Sequence, residues 1–237
     1  MTIKSPTDAS ALSNAGPDRR SVVAGLAGSF GAAGIATLTW HAPAAAQEAN
    51  LGAQVDLDDF MKAGELPENS VGKDDAPVTI VEYASMTCPH CARFHNNVLG
   101  PIKEKYIDTG KVRFIMREFP LDQLATAAFM LARCAGAEKH YAFSNVLYRQ
   151  QEKWAFSGGN PVPPLRELAK QAGITREQFD TCLKDQKMVQ GILDVRKRGQ
   201  DFGVRSTPTL FINGRRFNGN LSVGAVSAAI DSLLKAG

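Results

Sequence analysis

Past the N-terminus, the first dense apolar run is Val78-Thr79-Ile80-Val81-Glu82-Tyr83, which follows Ala76-Pro77 and is rich in β-branched residues. A nearly continuous apolar run of this length suits a strand covered on both faces, so it is expected at the centre of a sheet. The period then changes. Beyond Cys88-Pro89-His90-Cys91, the residues Phe94, Val98 and Ile102 recur at helical spacing, and Pro101 predicts a kink or break in that helix. Lys111-Val112-Arg113-Phe114-Ile115-Met116-Arg117 opens by alternating charged and apolar residues and predicts a second strand, completing a βαβ unit.

From 121 to 202 the pattern is helical throughout. Leu124, Ala127, Ala128, Leu131, Ala132 and Ala135 form the stripe of an amphipathic helix. Tyr141–Glu152, Leu165–Ala172, Arg176–Lys184 and Lys187–Gln200 are further predicted helices, with a proline-rich loop at Asn160–Pro164. Then Pro208–Ile212 and Arg215–Phe217, joined by Asn213-Gly214, predict a hairpin with a primed turn, and Val223–Lys235 a closing helix. The predicted fold class is α/β: a mixed sheet formed by 76–120 and 203–237, carrying a helical insertion at 121–202. Residues 47–75, with Gly52, Gly64, Pro67, Gly72 and the Asp56, Asp58, Asp59 cluster, predict an arm and loop.

The N-terminus reads as an address. Arg19-Arg20 precedes a glycine- and alanine-rich apolar stretch up to Trp40, and Pro43-Ala44-Ala45-Ala46 supplies a small-residue cleavage site, so 1–46 is expected to be a secretory signal removed near Ala46. The paired arginines and weakly apolar core are similar to a twin-arginine signal, with Asp18 and Val23 departing from its usual residues. Export would place the protein in an oxidising periplasm. A formal net charge of +3, with no basic run in the body of the chain, excludes a nucleic-acid footprint.

In that compartment the 4 cysteines matter most, being too few to replace a hydrophobic core. Cys88 and Cys91, three apart at a helix start, place two sulfurs on one turn. The helix N-terminus favours an anion at Cys88, which makes it the nucleophile, while Cys91 is placed to resolve the mixed disulfide. Pro89 fits the first turn, where its missing N–H is not needed, and His90 offers a positive charge or donor beside Cys88. Stabilising the thiolate stabilises the reduced form and makes the disulfide oxidising. A structural zinc pair is the competing interpretation of the motif, with His95 as a third ligand, but no second pair accompanies it. His95 is expected to be a partly exposed helix residue, and His140 carries no motif.

The order of strand, CPHC helix, strand, helical insertion, Thr207-Pro208-Thr209 strand, hairpin and final helix resembles the DsbA-like thioredoxin family over residues 74–237. The resemblance implies a thioredoxin fold and thiol–disulfide exchange on exported proteins, with no cofactor. It also implies a monomer recharged by a membrane quinone reductase of the DsbB type. Thr207 and Pro208 match the family's cis-proline loop, which would pair with an extended substrate, and Glu82 matches its buried carboxylate, a proton acceptor for Cys91. Cys134 and Cys182 resemble the second, non-catalytic disulfide of a family subset; a structural staple, a regulatory bridge and two unpaired core thiols all remain open for them. Two rivals to a dithiol oxidase stay in view. One is an isomerase or reductase of the same fold, although 47–75 is too short for the dimerisation domain of DsbC-like isomerases. The other is a copper-delivery protein using Met86, His90 and the two motif cysteines as soft ligands.

Overall fold

A computed structural model describes residues 50–62 and 64–236, so the expected signal at 1–46 lies outside the described residues. Strand β3 (Val78–Ala84) occupies the interior of a six-stranded sheet of order β1-β6-β5-β3-β4-β2. Its neighbours are β4 (Val112–Glu118), which is parallel to it, and β5 (Thr209–Ile212), which is antiparallel. Strand β6 (Arg215–Phe217) returns from β5 through Asn213 and Gly214, at φ 47° and 73°. Positive φ at both central residues is what a primed turn demands, and Asn-Gly is the pair that supplies it most readily.

The region expected to be an arm contains three elements: β1 (Leu51–Gln54), α1 (Leu57–Met61) and β2 (Asn69–Val71). β1 pairs with β6 and β2 with β4, so the two short strands close opposite edges of the sheet. Neither LGAQ nor NSV alternates strongly, and it is the waiting edge hydrogen bonds that make them strands.

Side-chain alternation divides the core between the two faces of the sheet. Val78, Ile80 and Ala84 of β3 pack on one face with Val112, Phe114 and Met116 of β4 and Leu210 and Ile212 of β5. Val81, Tyr83, Ile115 and Phe211 pack on the other with Phe60 of α1. Glu82 has the parity of Ile80 and Ala84, so the sheet aims it into the first face, where the motif helix lies.

That helix begins as α2 (Pro89–Phe94) and continues through a π-helical turn at His95–Leu99, α3 (Gly100–Ile102) and a second π turn at Lys103–Ile107. The break expected at Pro101 is absent; wider turns on either side absorb the missing N–H and keep the chain helical.

The insertion comprises α4 (Gln123–Cys134), α5 (Ala137–Arg149), α6 (Gln151–Ala155), α7 (Val162–Gln171), α8 (Arg176–Cys182) and α9 (Gln186–Asp201), and α10 (Val223–Ala236) closes the chain. The helix expected at 141–152 is two helices, the first starting earlier, directly after Gly136 at φ 90°. Pro163 and Pro164, expected in a loop, fall within the first turn of α7, where no backbone N–H is required of them. Among the described residues, no helix is long and apolar enough to cross a membrane.

Candidate active site

Strand β3 runs into the loop 85–88, and Cys88 caps α2 in extended conformation with Pro89 in the first helical turn. The Cys88 N–H donates to the Ser85 carbonyl at 3.1 Å, tying the loop to the strand end. From the insertion, the Gln151 side-chain amide donates to the carbonyls of Met86 at 2.8 Å and Cys88 at 3.1 Å. Thr87 donates to Asp122, which also caps α4 by accepting from the Ala125 N–H at 2.7 Å. The active loop is therefore held from both the sheet and the insertion.

The thiols of Cys88 and Cys91 are free, and their environments differ. Cys88 is lowered from 9.0 to about 5: the Cys91 thiol donates a hydrogen bond to its thiolate, burial opposes this, and the Thr207 hydroxyl and the N–H groups of Cys91 and His90 assist. Cys91 is fully buried and is pushed well above the ordinary thiol range, first by desolvation and then by Cys88 and the Glu82 charge. One sulfur is prepared to be an anion and the other to hold its proton.

Thr207 and Pro208 are joined by a cis peptide bond, and the Cys88 thiol lies 3.3 Å from the Thr207 carbonyl, to which it donates when protonated. A thiolate cannot donate, and the Thr207 hydroxyl, whose oxygen is buried and has no hydrogen-bond partner among the described residues, is then the group able to donate to it. The structure thus brings the cis-proline loop against the nucleophile.

His90 is exposed, and its Nδ1 accepts from the Arg93 guanidinium at 2.7 Å. From this position the backbone N–H of His90 helps to lower Cys88. Glu82 is fully buried; its Oε2 lies 2.8 Å from His95 Nε2, and its Oε1 has no hydrogen-bond partner among the described residues. His95, expected to be partly exposed, is only 6% exposed. The sheet covers one side of its helix and α5 covers another, so the buried face is wider than the Phe94, Val98, Ile102 stripe suggested. Its Nδ1 lies 2.9 Å from Asn145 Oδ1 on α5, and its ring packs against Tyr148 at 4.2 Å.

Nothing in the helical pattern announces that Gln151 reaches the motif loop or that Asn145 and Tyr148 meet His95, because periodicity says which residues face inward but not what they meet. The position of His95, four residues after Cys91, was the one available signal. Cys134 and Cys182, remote in sequence, form a disulfide joining α4 to α8, with their Cα atoms 6.4 Å apart.

A sheet interrupted by a helical insertion, with a paired thiol at a helix start facing a cis-proline loop, defines a thiol–disulfide oxidoreductase. The model of the thioredoxin family matches residues 66–232, and the chain belongs to that family among its DsbA-like members. A protein of Rickettsia bellii named as a protein-disulfide oxidoreductase is 33% identical over 183 residues, 74% of this chain and 69% of its own length. The chain spans less than two thirds of other Rickettsia relatives, 59% in the case of Rickettsia felis. Bacillus anthracis disulfide bond formation protein D is 30% identical over 71% of this chain and 79% of its own length. The crystal structure of Wolbachia pipientis alpha-DsbA1 superposes with a TM-score of 0.69 at 28% identity, covering 77% of this chain and all of that one.

Proposed function

We propose that the protein is an exported dithiol oxidase that donates a Cys88–Cys91 disulfide to reduced proteins. The observation that carries this reading is the division of the two thiols: Cys88 down to about 5, Cys91 well above its ordinary range. In the forward reaction a substrate thiolate attacks Cys88 Sγ, the Cys88–Cys91 bond breaks, and Cys91 leaves as a thiolate that takes a proton from Glu82. A second substrate thiolate then attacks its mixed-disulfide partner, and Cys88 departs as the stabilised anion, leaving an oxidised substrate and a reduced enzyme. Glu82 is a buried carboxylate whose charge acts on Cys91, and its Oε1 has no competing partner among the described residues.

Pro89 starts the helix at the required angle, and the N–H of His90 assists the thiolate. Thr207 and Pro208 present backbone to an extended substrate segment. The Cys134–Cys182 bridge serves as a structural staple. The periplasm is the compartment, a monomer the working form, and a DsbB-type quinone reductase the source of oxidising equivalents.

Equilibration of the purified protein with glutathione, with the Cys88–Cys91 and Cys134–Cys182 pairs separated by mass after alkylation, tests this reading. An oxidase requires a Cys88–Cys91 potential towards the DsbA value of about −120 mV. A value near the thioredoxin potential of about −270 mV would make the protein a reductase. Cys88→Ser should abolish disulfide transfer, while Cys91→Ser should trap the mixed disulfide; transfer surviving in Cys88→Ser removes Cys88 as nucleophile.

A further inference from the structure

Three side chains of α5 share one unusual property. His140, Ser144 and Tyr148 are 3%, 1% and 1% exposed, and the His140 Nε2, Ser144 Oγ and Tyr148 hydroxyl atoms have no hydrogen-bond partner among the described residues. They fall four residues apart, on a single stripe of the helix. Glu82 Oε1, on the strand facing this region, is in the same condition.

Buried polar atoms without a partner are uncommon, and a succession of them on one face indicates polar groups that share small polar molecules between them. A rise of about 1.5 Å per residue sets the backbone positions of neighbours on the stripe about 6 Å apart along the helix axis. None of the three polar atoms bonds another directly, and bridging waters would satisfy each of them.

The ends of the stripe lie in different surroundings. At the His140 end, a cavity of about 240 Å³ opens between α5 and the sheet edge, bordered by Asn69, Val71, Phe114, Met116, His140 and Tyr141. At the Tyr148 end, the phenol ring packs on His95, whose Nε2 meets Glu82. The charges acting on the Tyr148 hydroxyl are those of Cys91, Glu82, Cys88 and Glu118.

We infer that His140, Ser144 and Tyr148 line a water-bridged proton path along α5, connecting the cavity at the sheet edge with Cys91 and Glu82. This rests on the reading of Cys91 as the resolving thiol and Glu82 as its proton partner. When a reduced enzyme resolves a mixed disulfide, the Cys91 thiol loses its proton as Sγ attacks Cys88 and the partner thiolate leaves. That proton reaches Glu82 and then solvent, and the cycle reverses when the disulfide is spent. The path supplies an exit that does not cross the face occupied by the substrate.

The groups facing the stripe fit such a role. Glu118 is buried against Arg133 of α4 at 2.6 Å, Glu68 pairs with Arg117, and Glu138 borders the cavity at the His140 end. Burial, with Arg133 in support, pushes His140 down to about 3, which keeps its imidazole neutral with one nitrogen able to donate and one to accept. Tyr148 is held far above the ordinary phenol range, so it relays a proton through its hydroxyl without ionising. Tyr141, beside His140, is engaged through Asn145.

The test is single-turnover resolution by the reduced full-length protein reacting with oxidised glutathione, quenched in acid and read by mass, in the wild type and in Tyr148→Phe, Ser144→Ala and Glu82→Gln. Tyr148→Phe and Ser144→Ala each remove one relay atom with little change of shape. Each should slow conversion of the Cys88–glutathione disulfide roughly tenfold, a fraction of what positioned proton transfer contributes. The Cys88–Cys91 potential should stay at the wild-type value, because both end states hold the same protons. The solvent deuterium isotope effect on resolution should rise as proton delivery becomes limiting. Wild-type rates in both α5 variants would overturn the path, as would a loss of rate matched by a shift in potential, which marks an electrostatic or packing role. Slow α5 variants beside a wild-type Glu82→Gln would keep the path and remove Glu82 from it, so the two assignments fail separately.

Discussion

The thioredoxin core and the helical insertion contribute to one site by different means. The core carries every group of the proposed reaction: Cys88 and Cys91 from the helix after β3, Glu82 from β3 itself, and the cis-proline loop before β5. The insertion supplies none of them, yet Gln151 grips two loop carbonyls, Asn145 holds His95, and Tyr148 packs on the His95 ring. Each region carries one cysteine pair. The core pair sits at a helix start where an anion is stabilised, and the insertion pair joins two packed helices. The two pairs are set apart by the surroundings of their sulfurs and not by the chemistry of pairing itself.

The sharpest way to break this contrast is to remove the insertion pair. Cys134→Ala with Cys182→Ala opens a 48-residue loop, which in the chain-entropy model costs roughly 4 kcal/mol. Urea unfolding of the oxidised proteins should show that loss while the Cys88–Cys91 potential is retained. A potential that moves with the deletion would give the second pair a regulatory role.

A smaller effect separates the pairs by pH. Cys88 is lowered from 9.0 to about 5, so its contribution to the reduced fold is fully present above about pH 9, declines below that and is gone below about pH 5. The stability of the reduced protein relative to the Cys88–Cys91 disulfide form should therefore rise between those limits, with a slope no steeper than about 1.4 kcal/mol per pH unit. His140, lowered from 6.5 to about 3, destabilises both redox forms as pH falls through that window, and it cancels in the comparison. Parallel unfolding curves at pH 5 and pH 8 measure the difference, and a flat one would mean that Cys88 is not held as a thiolate.

The smallest effect tests the grip of the insertion on the core. Gln151→Ala leaves the Met86 and Cys88 carbonyls without their side-chain donor and should cost about 1 to 3 kcal/mol. It should also raise the pH midpoint of Cys88 alkylation, because the loop that presents the sulfur loses its outer support. An unchanged midpoint would confine Gln151 to stability.

Much of the core was legible because its determinants are local. The nearly continuous apolar run 78–83 suited an interior strand, Asn213-Gly214 suited a tight turn, and the placement of Cys88 ahead of Pro89 at a helix start followed from spacing. Where the fold depends on partners far along the chain, periodicity was silent. β1 and β2 exist because β6 and β4 offer open edges. The burial of His95 depends on α5, and the prolines before Leu165 extend α7 because the first turn of a helix tolerates them. The motif placed the two sulfurs and the family resemblance pointed to Glu82, but the lining was illegible, since no pattern in α5 announces that Asn145 meets His95 or that Gln151 just beyond it reaches the loop carbonyls.

The contact between Cys88 and Thr207 joins residues 119 apart, with the whole insertion between them. During folding the nucleophile and the wall it faces are the two ends of a very long tether, and the entropy of closing that tether grows with the logarithm of its free length. Helices α4 and α8, once cross-linked, take the segment between Cys134 and Cys182 out of the tether before the ends meet. A chain that gains this bridge before Cys88 meets Thr207 has a shorter free length to close, and so a smaller entropic cost of completing its own active site.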